Sequence, residues 1–408
     1  MPATRVPSGA PDRRAVLSVP DADQLLRDHT RRLPTETVGL DDAAGRVLAA
    51  DVCAERDLPP FDRVTMDGVA LQSAAVQGGI RRFRVASQQR AGEPPHTLPG
   101  RDACIDVATG AVLPVGCDAV VAAEHVRLED GVAELVGVAD VRSGAAVHRR
   151  GTDRVGGALV VRGGTRVGPA HVAALASVGA PRVPVSVRAR IAVVTTGDEL
   201  VAVDGPVLAH QVRRSNGHAL RAALGLHGFA HVTLAHAPDD REALAGALAR
   251  ALASADVVVT TGGVSVGRLD LVPDVLVRLG VRCVFHRVAQ RPGKPLWFGV
   301  DGTGTAVFGL PGNPVSALVG LVRYVVPLLR RMEGDDGPPD SVVLESLPAR
   351  PPGLTVFVPV SVEAGVGRAV SGGGSGDLVS LLPTDGVAEV ALGAVAPAAF
   401  PFFPWRPR

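Results

Sequence analysis

From about residue 187 the chain alternates apolar runs of strand length with stretches whose apolar residues recur at helical spacing. The runs 191–194, 232–234, 257–259, 281–288, 296–300 and 306–309 have the length of short strands, several of them apolar throughout. Between them Leu220, Ala223 and Leu224, then Leu244, Leu248 and Leu252, then Val272, Val275, Leu276 and Leu279 each mark one face of a helix, the third starting near Leu269. Ser215 suits the cap of the first helix and Asp239 or Asp240 that of the second; Asn313 and Pro314 suit the cap and first turn of a fourth. This order predicts a doubly wound, open parallel sheet with helices on both faces. In such sheets ligands bind where loops meet at the carboxyl ends of the strands. The loops 195–200, 260–270, 291–295 and 311–316 are therefore the places to look.

The remainder has a different texture. Before residue 187, short β-like runs such as 119–122 and 159–161 sit among Gly and Pro clusters, with a helical stretch near 22–31. After Met332, residues 334–339 read as a linker, and 341–344 and 354–362 as strands of a small all-β module. At 408 residues, two to four domains are expected. The 42 basic and 41 acidic residues leave +1, which gives no electrostatic reason to expect nucleic acid or an anionic membrane as partner. Four scattered cysteines, Cys53, Cys104, Cys117 and Cys283, have no metal-finger spacing and fit a reduced, cytoplasmic setting. The first 17 residues lack the apolar core of a signal peptide, and the apolar stretch 315–329 is broken by Arg323 and Pro327 and too short for a bilayer.

Rare residues stand out against this background. Lys294 is the sole lysine beside 41 arginines, and Asn216 and Asn313 are the only asparagines. Lys294 lies in RPGKP (291–295), where a flexible cation between prolines suits an oxyanion, although a solvated lysine is the ordinary alternative. TTGGVSVG (260–267) joins a strand to a helix through two adjacent glycines; it reads either as an anion site or as a tight turn. It lacks the GK[ST] ending of a Walker loop and the GxGxxG fingerprint. In TGDEL (196–200), Asp198 and Glu199 either hold Mg²⁺ or cap the following segment. Asp67 precedes Gly68 and, taken alone, reads as a turn residue. His125, His210, His218 and His286 have no ligand spacing.

Taken together, PPFDRVTMDGVA (59–70), TGAVLPVGCDAVVAAE (109–124), HRRGTD (148–153), TTGDEL, SNGHAL (215–220), TGGVSVGRLD, RPGKP and GLPGNPVSAL (309–318) occur in the order seen in the molybdopterin molybdenumtransferase family. From about Val19 to its end the chain resembles these bacterial molybdenum insertases and the C-terminal part of gephyrin. The resemblance implies a cytoplasmic homodimer that takes adenylated molybdopterin and molybdate and, with Mg²⁺, inserts the metal and releases AMP. It further implies a flexible tail (1–18), an elongated linker and dimerisation unit (19–57 with 145–186), an inserted mixed α/β unit (58–144), a central α/β molybdopterin-binding unit (187–333) and a β-barrel-like unit (340–408). A molybdopterin adenylyltransferase and recipient molybdoenzymes are the implied protein partners.

Carried over position by position, the catalytic residues are Asp67, Thr109, Glu199 and Asp270, with Asp67, Glu199 and Asp270 as Mg²⁺ ligands. The substrate-binding residues are Asp153, Asp239, Gly262, Gly263, Ser265, Arg287, Arg291, Lys294, Pro311, Asn313, Pro314 and Ser375. Asp67 is expected to complete the cleft of the other subunit. Arg287 and Arg291 stand where relatives often carry lysine, Arg214 where an acid commonly precedes the SN pair, and Val69 where an aromatic is usual. An adenylyltransferase-like enzyme and a non-catalytic scaffold are the competing readings.

Overall fold

The computed structural model describes residues 16–264 and 270–407. Its central sheet runs in the order Val232–Ala237, Ile191–Thr196, Val257–Thr261, Ala306–Leu310, Trp297–Val300, Arg282–His286. Alternation along Ile191–Thr196 explains how helices cover both faces. Ile191 and Val193 pack with Leu220 and Leu224 and with Ala317 and Leu321, whereas Ala192 and Val194 pack with Leu244, Leu248, Val272 and Val275. The three inner parallel strands, Ile191–Thr196, Val257–Thr261 and Ala306–Leu310, are buried at every position because neither face meets water, whereas the edge strand Val232–Ala237 exposes Thr233 and Ala235.

The expected all-parallel sheet needs one correction. Trp297–Val300 runs antiparallel to both of its neighbours. Only residues 301–305 separate it from Ala306–Leu310, and a parallel crossover needs a dozen or more. The turn is instead tied by the Asp301 carboxylate, which accepts from the backbone N–H groups of Thr303 and Thr305, both at 2.8 Å.

The ends of the helices also differ in detail. Ser215 stands at the cap of Asn216–Leu226 but makes no side-chain cap bond, and Asn313 makes none to Pro314–Gly320. Asp240 caps Arg241–Ser254 by accepting from Glu242 and Ala243 N–H. The third helix begins at Val272, and Leu269 lies outside the described residues. From Pro314 to Glu333 the chain is one helical run interrupted by a π turn, Leu321–Val325. Pro327 follows at once; a widened turn relieves the clash of its ring with the carbonyl four residues earlier.

The helix Val19–Asp28, assigned from the sequence to the elongated unit, packs on the α/β unit. Val19, Ala22 and Leu26 enter the same core as Ile191 and Leu224. Leu17 and Ser18, expected in the tail, are ordered: Leu17 N–H donates to Arg287 C=O and Ser18 caps the helix through Asp21 N–H.

Residues 35–186 build two further layers. Thr35–Gly39 pairs with Arg182–Ser186, and Val52–Cys53 with Leu159–Val161, around a core of Leu48, Val161, Leu175 and Val185. The chain leaves this unit at Arg63–Val64 and returns at Val147–His148, which pair with each other. Between them lies a six-stranded sheet whose strand Gly68–Leu71 is buried throughout, flanked by Ala119–Ala122 and Ala103–Val107.

At the other end, Asp340–Leu344, Thr355–Glu363, Val366–Ala369, Ala398–Pro404 and Gly386–Val390 close into a five-stranded barrel filled by Val342, Val358, Val360, Phe400 and Phe402. A sixth short strand from the α/β unit, Gln290–Arg291, adds in parallel to Thr355–Glu363. Among the described residues no helix is long and apolar enough to cross a membrane.

Candidate active site

A cleft of about 750 Å³ opens at the carboxyl ends of the central strands, where the topology places it. Glu199, Asp239, Asp270, Gly262, Gly263, Pro311, Asn313 and Pro314 all line it, with Gly376 and Leu378 contributed by the barrel end. A second cavity of about 510 Å³ adjoins it and shares Pro295, Pro311 and Asn313 with it. Arg291, Lys294 and Ser375 line this second space together with Ser380. The two spaces differ in charge: the first mixes the carboxylates of Glu199, Asp239 and Asp270 with Arg213 and Arg214, whereas the exposed cations Arg291 and Lys294 line the second without a carboxylate among its lining residues.

Each side chain is held locally. Asp239 accepts from the buried Thr196 hydroxyl at 2.7 Å, and its own N–H donates to Asp198 Oδ1 at 3.0 Å, so this aspartate faces the first strand while Asp240 caps the helix. Glu199 folds back over Gly197, whose φ is +144°; a Cβ there would come within 2.6 Å of Glu199 Oε2. Gly262 has φ +100° and a Cβ would lie 2.5 Å from Thr196 C=O, which excludes any side chain. Its N–H donates to Leu310 C=O at 3.1 Å, so the expected role of that amide in holding an anion is corrected: it ties the loop to the neighbouring strand. Ser265 lies outside the described residues.

Asn313 spends its side chain on the barrel end. Its Nδ2 donates to Ser375 Oγ at 2.9 Å, and Val315 N–H donates to Ser375 C=O at 3.1 Å, so the two predicted residues form one bridge across the cavities. Arg287, with φ +76°, lines neither space.

Asp67, Thr109 and Asp153 are not brought to this cleft by their own chain. Thr109 donates to Asp67 Oδ1 through its backbone N–H at 2.7 Å and its hydroxyl at 2.8 Å. These bonds, the backbone one first, hold the exposed Asp67 carboxyl below its ordinary pKa. Asp153 lies 3.0 Å from His148 Nε2, beside the neck of the inserted sheet.

The N-terminal half, residues 17–179, matches the model for the MoeA N-terminal region (domain I and II), and residues 192–331 match the model for a probable molybdopterin binding domain. A molybdopterin molybdenumtransferase from Synechocystis is 34% identical over 96% of this chain and 100% of its own length. The chain belongs to the molybdopterin molybdenumtransferase family. A molybdopterin molybdenumtransferase from Haemophilus influenzae is 33% identical over 85% of this chain and 83% of its own. Among solved structures, a molybdopterin biosynthesis MoeA protein from Pyrococcus horikoshii superposes with a TM-score of 0.78 at 30% identity, covering 97% of this chain and 100% of the other.

Three cleft residues were missed by sequence reasoning as site residues. Asn216 Nδ2 donates to Thr261 Oγ1 at 2.8 Å and to Gly312 C=O at 2.7 Å, tying two strand-end loops together. Its rarity in this chain was the available signal. Thr196 orients Asp239, as above. Arg214 lines the cleft and, after burial, is the next cause lowering the pKa of His236.

Proposed function

We propose that the chain inserts molybdenum from molybdate into adenylated molybdopterin, releasing AMP in a Mg²⁺-dependent step of molybdenum cofactor biosynthesis. The observation that carries the reading is the pair of adjoining cavities in a member of this family, one holding three carboxylates beside Arg213 and Arg214 and the other lined by Arg291 and Lys294. An adenylated substrate brings a pyrophosphate and molybdate brings two more negative charges. Lys294 and Arg291 offset charge in the second cavity, and the Asn313–Ser375 bridge supplies a polar wall.

The donor set suits Mg²⁺. Glu199 and Asp270 offer hard carboxylate oxygens in one cleft, the kind of donor that holds Mg²⁺ through one or two carboxylates with substrate phosphates completing the shell. When bound there, Mg²⁺ would neutralise phosphate charge. Thr196 and Asp239 keep the first strand end in register for this binding, and Gly197 leaves room for the Glu199 carboxylate.

In this reading the protein is a cytoplasmic homodimer. Asp67 and Thr109 lie on the inserted sheet, away from their own chain's cleft, which supports their completing the cleft of a second subunit. A molybdopterin adenylyltransferase would deliver the substrate and apo-molybdoenzymes would receive the product. Incubation with adenylated molybdopterin, molybdate and Mg²⁺, following AMP and cofactor together, tests the reading. AMP and cofactor formed in equal amounts are expected. Consumption of ATP with free molybdopterin would point to the adenylyltransferase alternative, and binding without either reaction to a scaffold.

A further inference from the structure

The chain has one lysine and one tyrosine, and a single buried side chain connects their surroundings. Gln290, 2% exposed, donates through Nε2 to the carbonyls of Pro292 and Gly293, both at 3.2 Å. Its Oε1 accepts from the Tyr324 hydroxyl. Those two carbonyls belong to the residues immediately before Lys294. The carboxamide lies directly under the turn, because a Cβ on Gly293, where φ is +88°, would come within 2.9 Å of Gln290 Nε2.

Tyr324 is itself held. It sits in the π turn Leu321–Val325 and is 1% exposed. Beside it the buried Arg323 donates to both Asp23 oxygens, at 2.8 and 2.7 Å, and to Glu389 at 2.5 Å, and its guanidinium lies 4.8 Å from the centre of the Tyr324 ring. Carboxylates from the first helix and from the barrel thus fix Arg323, and Arg323 backs the ring whose hydroxyl reaches Gln290. The backbone on the far side is fixed as well, since Gln290–Arg291 pairs with the barrel strand at Thr355 and Val356.

We infer that Gln290 and Tyr324 are positioning residues that fix the backbone of the 291–295 loop so that Lys294 is presented to oxyanion at the second cavity. The inference deepens the function proposed above and rests on it for the identity of the anion. Its physical basis is preorganisation. A lysine stem has large rotamer freedom, and a backbone fixed in advance leaves less to order when the anion binds. The π turn, a form that recurs at functional sites, acquires a role by aiming Tyr324 at the carboxamide.

The test uses Gln290→Met, Tyr324→Phe and Lys294→Met in the full-length protein. Two readouts assume nothing about the reaction: hydrogen exchange of the 291–296 amides, and the rate at which an amine reagent labels Lys294 relative to the α-amino group. A third reads KM for molybdate against kcat. Each buried hydrogen bond removed corresponds to roughly 5- to 10-fold in an equilibrium. Gln290→Met is therefore expected to speed loop exchange about 10-fold, to change Lys294 labelling, and to raise molybdate KM by a similar factor while kcat changes less. Tyr324→Phe should give a smaller effect of the same kind, because the Nε2 bonds remain. If Gln290→Met fails to fold, Tyr324→Phe decides alone. Loop exchange unaltered in the folded variants, or a loosened loop with unaltered KM, overturns the inference. If Lys294→Met leaves molybdate KM unchanged, the anion reading fails instead, and the exchange arm still reports whether the pair orders the loop.

Discussion

Asp67 and Thr109 form a closed pair in which one carboxylate oxygen receives both the backbone N–H and the hydroxyl of the threonine. The pair spans the start of the strand Gly68–Leu71 and the loop after Ala103–Val107, so the inserted sheet itself sets its geometry. A carboxylate stabilised in this way stays ionised further into acid than an ordinary aspartate.

Thr109→Val removes the hydroxyl and leaves the backbone donor, which is the larger cause. The Asp67 pKa should therefore rise part of the way to its ordinary value, and the acid limb of any activity that needs ionised Asp67 should move to higher pH. Carboxyl carbon NMR across an acid titration measures the first effect and a pH–rate profile the second. An unmoved Asp67 titration would show that the hydroxyl contributes nothing. Asp67→Asn should depress turnover while the thermal midpoint stays that of wild type.

A second prediction follows from the separation of this pair from its own cleft. Asp67→Asn and Glu199→Gln chains, each inactive, should regain part of the activity when mixed and re-associated, because one cleft of a heterodimer would be intact. Absence of recovery despite demonstrated subunit exchange would mean that each cleft is built within one chain.

Gly197 gives a more local test. With φ at +144° and the Glu199 oxygens within 2.6 and 2.7 Å of where a Cβ would sit, Gly197→Ala must either strain the backbone or move the carboxylate. The glutamate tip is the softer partner, so it should move. We expect a loss of Mg²⁺ affinity and turnover, with a backbone cost on the order of 1–3 kcal/mol. Unchanged Mg²⁺ dependence in a stable Gly197→Ala protein would remove Glu199 from the metal site.

What the sequence made legible, and what it hid, divides along chain separation. The strands around Val193, Val258 and Val307 were readable because burial on both faces leaves an uninterrupted apolar run, and the loops at their ends follow from topology. The antiparallel strand Trp297–Val300 was hidden by a pattern that does not encode direction; only the five-residue turn after it does. The helix Val19–Asp28 shows its apolar stripe, yet its partner surface lies some 170 residues onward. Asn313 illustrates the same limit. Its position before Pro314 reads as a cap, while its actual partner, Ser375, is 62 residues away. Asn216 was visible as a rarity but not as a clasp between Thr261 and Gly312, since neither contact has a local signature.

The last prediction concerns pH and the junction between the α/β unit and the barrel. His227 closes the helix Asn216–Leu226, is 6% exposed, and lies 3.1 Å from Pro404 C=O through Nε2, which makes that nitrogen the donor. Burial first, then the Arg330 charge, lowers its pKa to about 4. In the unfolded chain it titrates near 6.5. Between these values the unfolded state binds a proton that the folded state refuses, so stability falls as pH drops through about 6.5 to 4 and the effect is complete below that window. The total is on the order of 3 kcal/mol at most. Glu333 works in the opposite sense, because burial raises its pKa and its contribution declines as pH rises. The comparison must therefore be between wild type and His227→Phe, which keeps an aromatic at the junction. It removes the titration and also the bond to Pro404 C=O; the lost bond lowers the midpoint at every pH, while the lost titration changes its slope with pH. Urea midpoints measured from pH 7.5 to 4 should fall less steeply in His227→Phe. Parallel curves for the two proteins would mean that His227 does not carry the acid sensitivity of the junction.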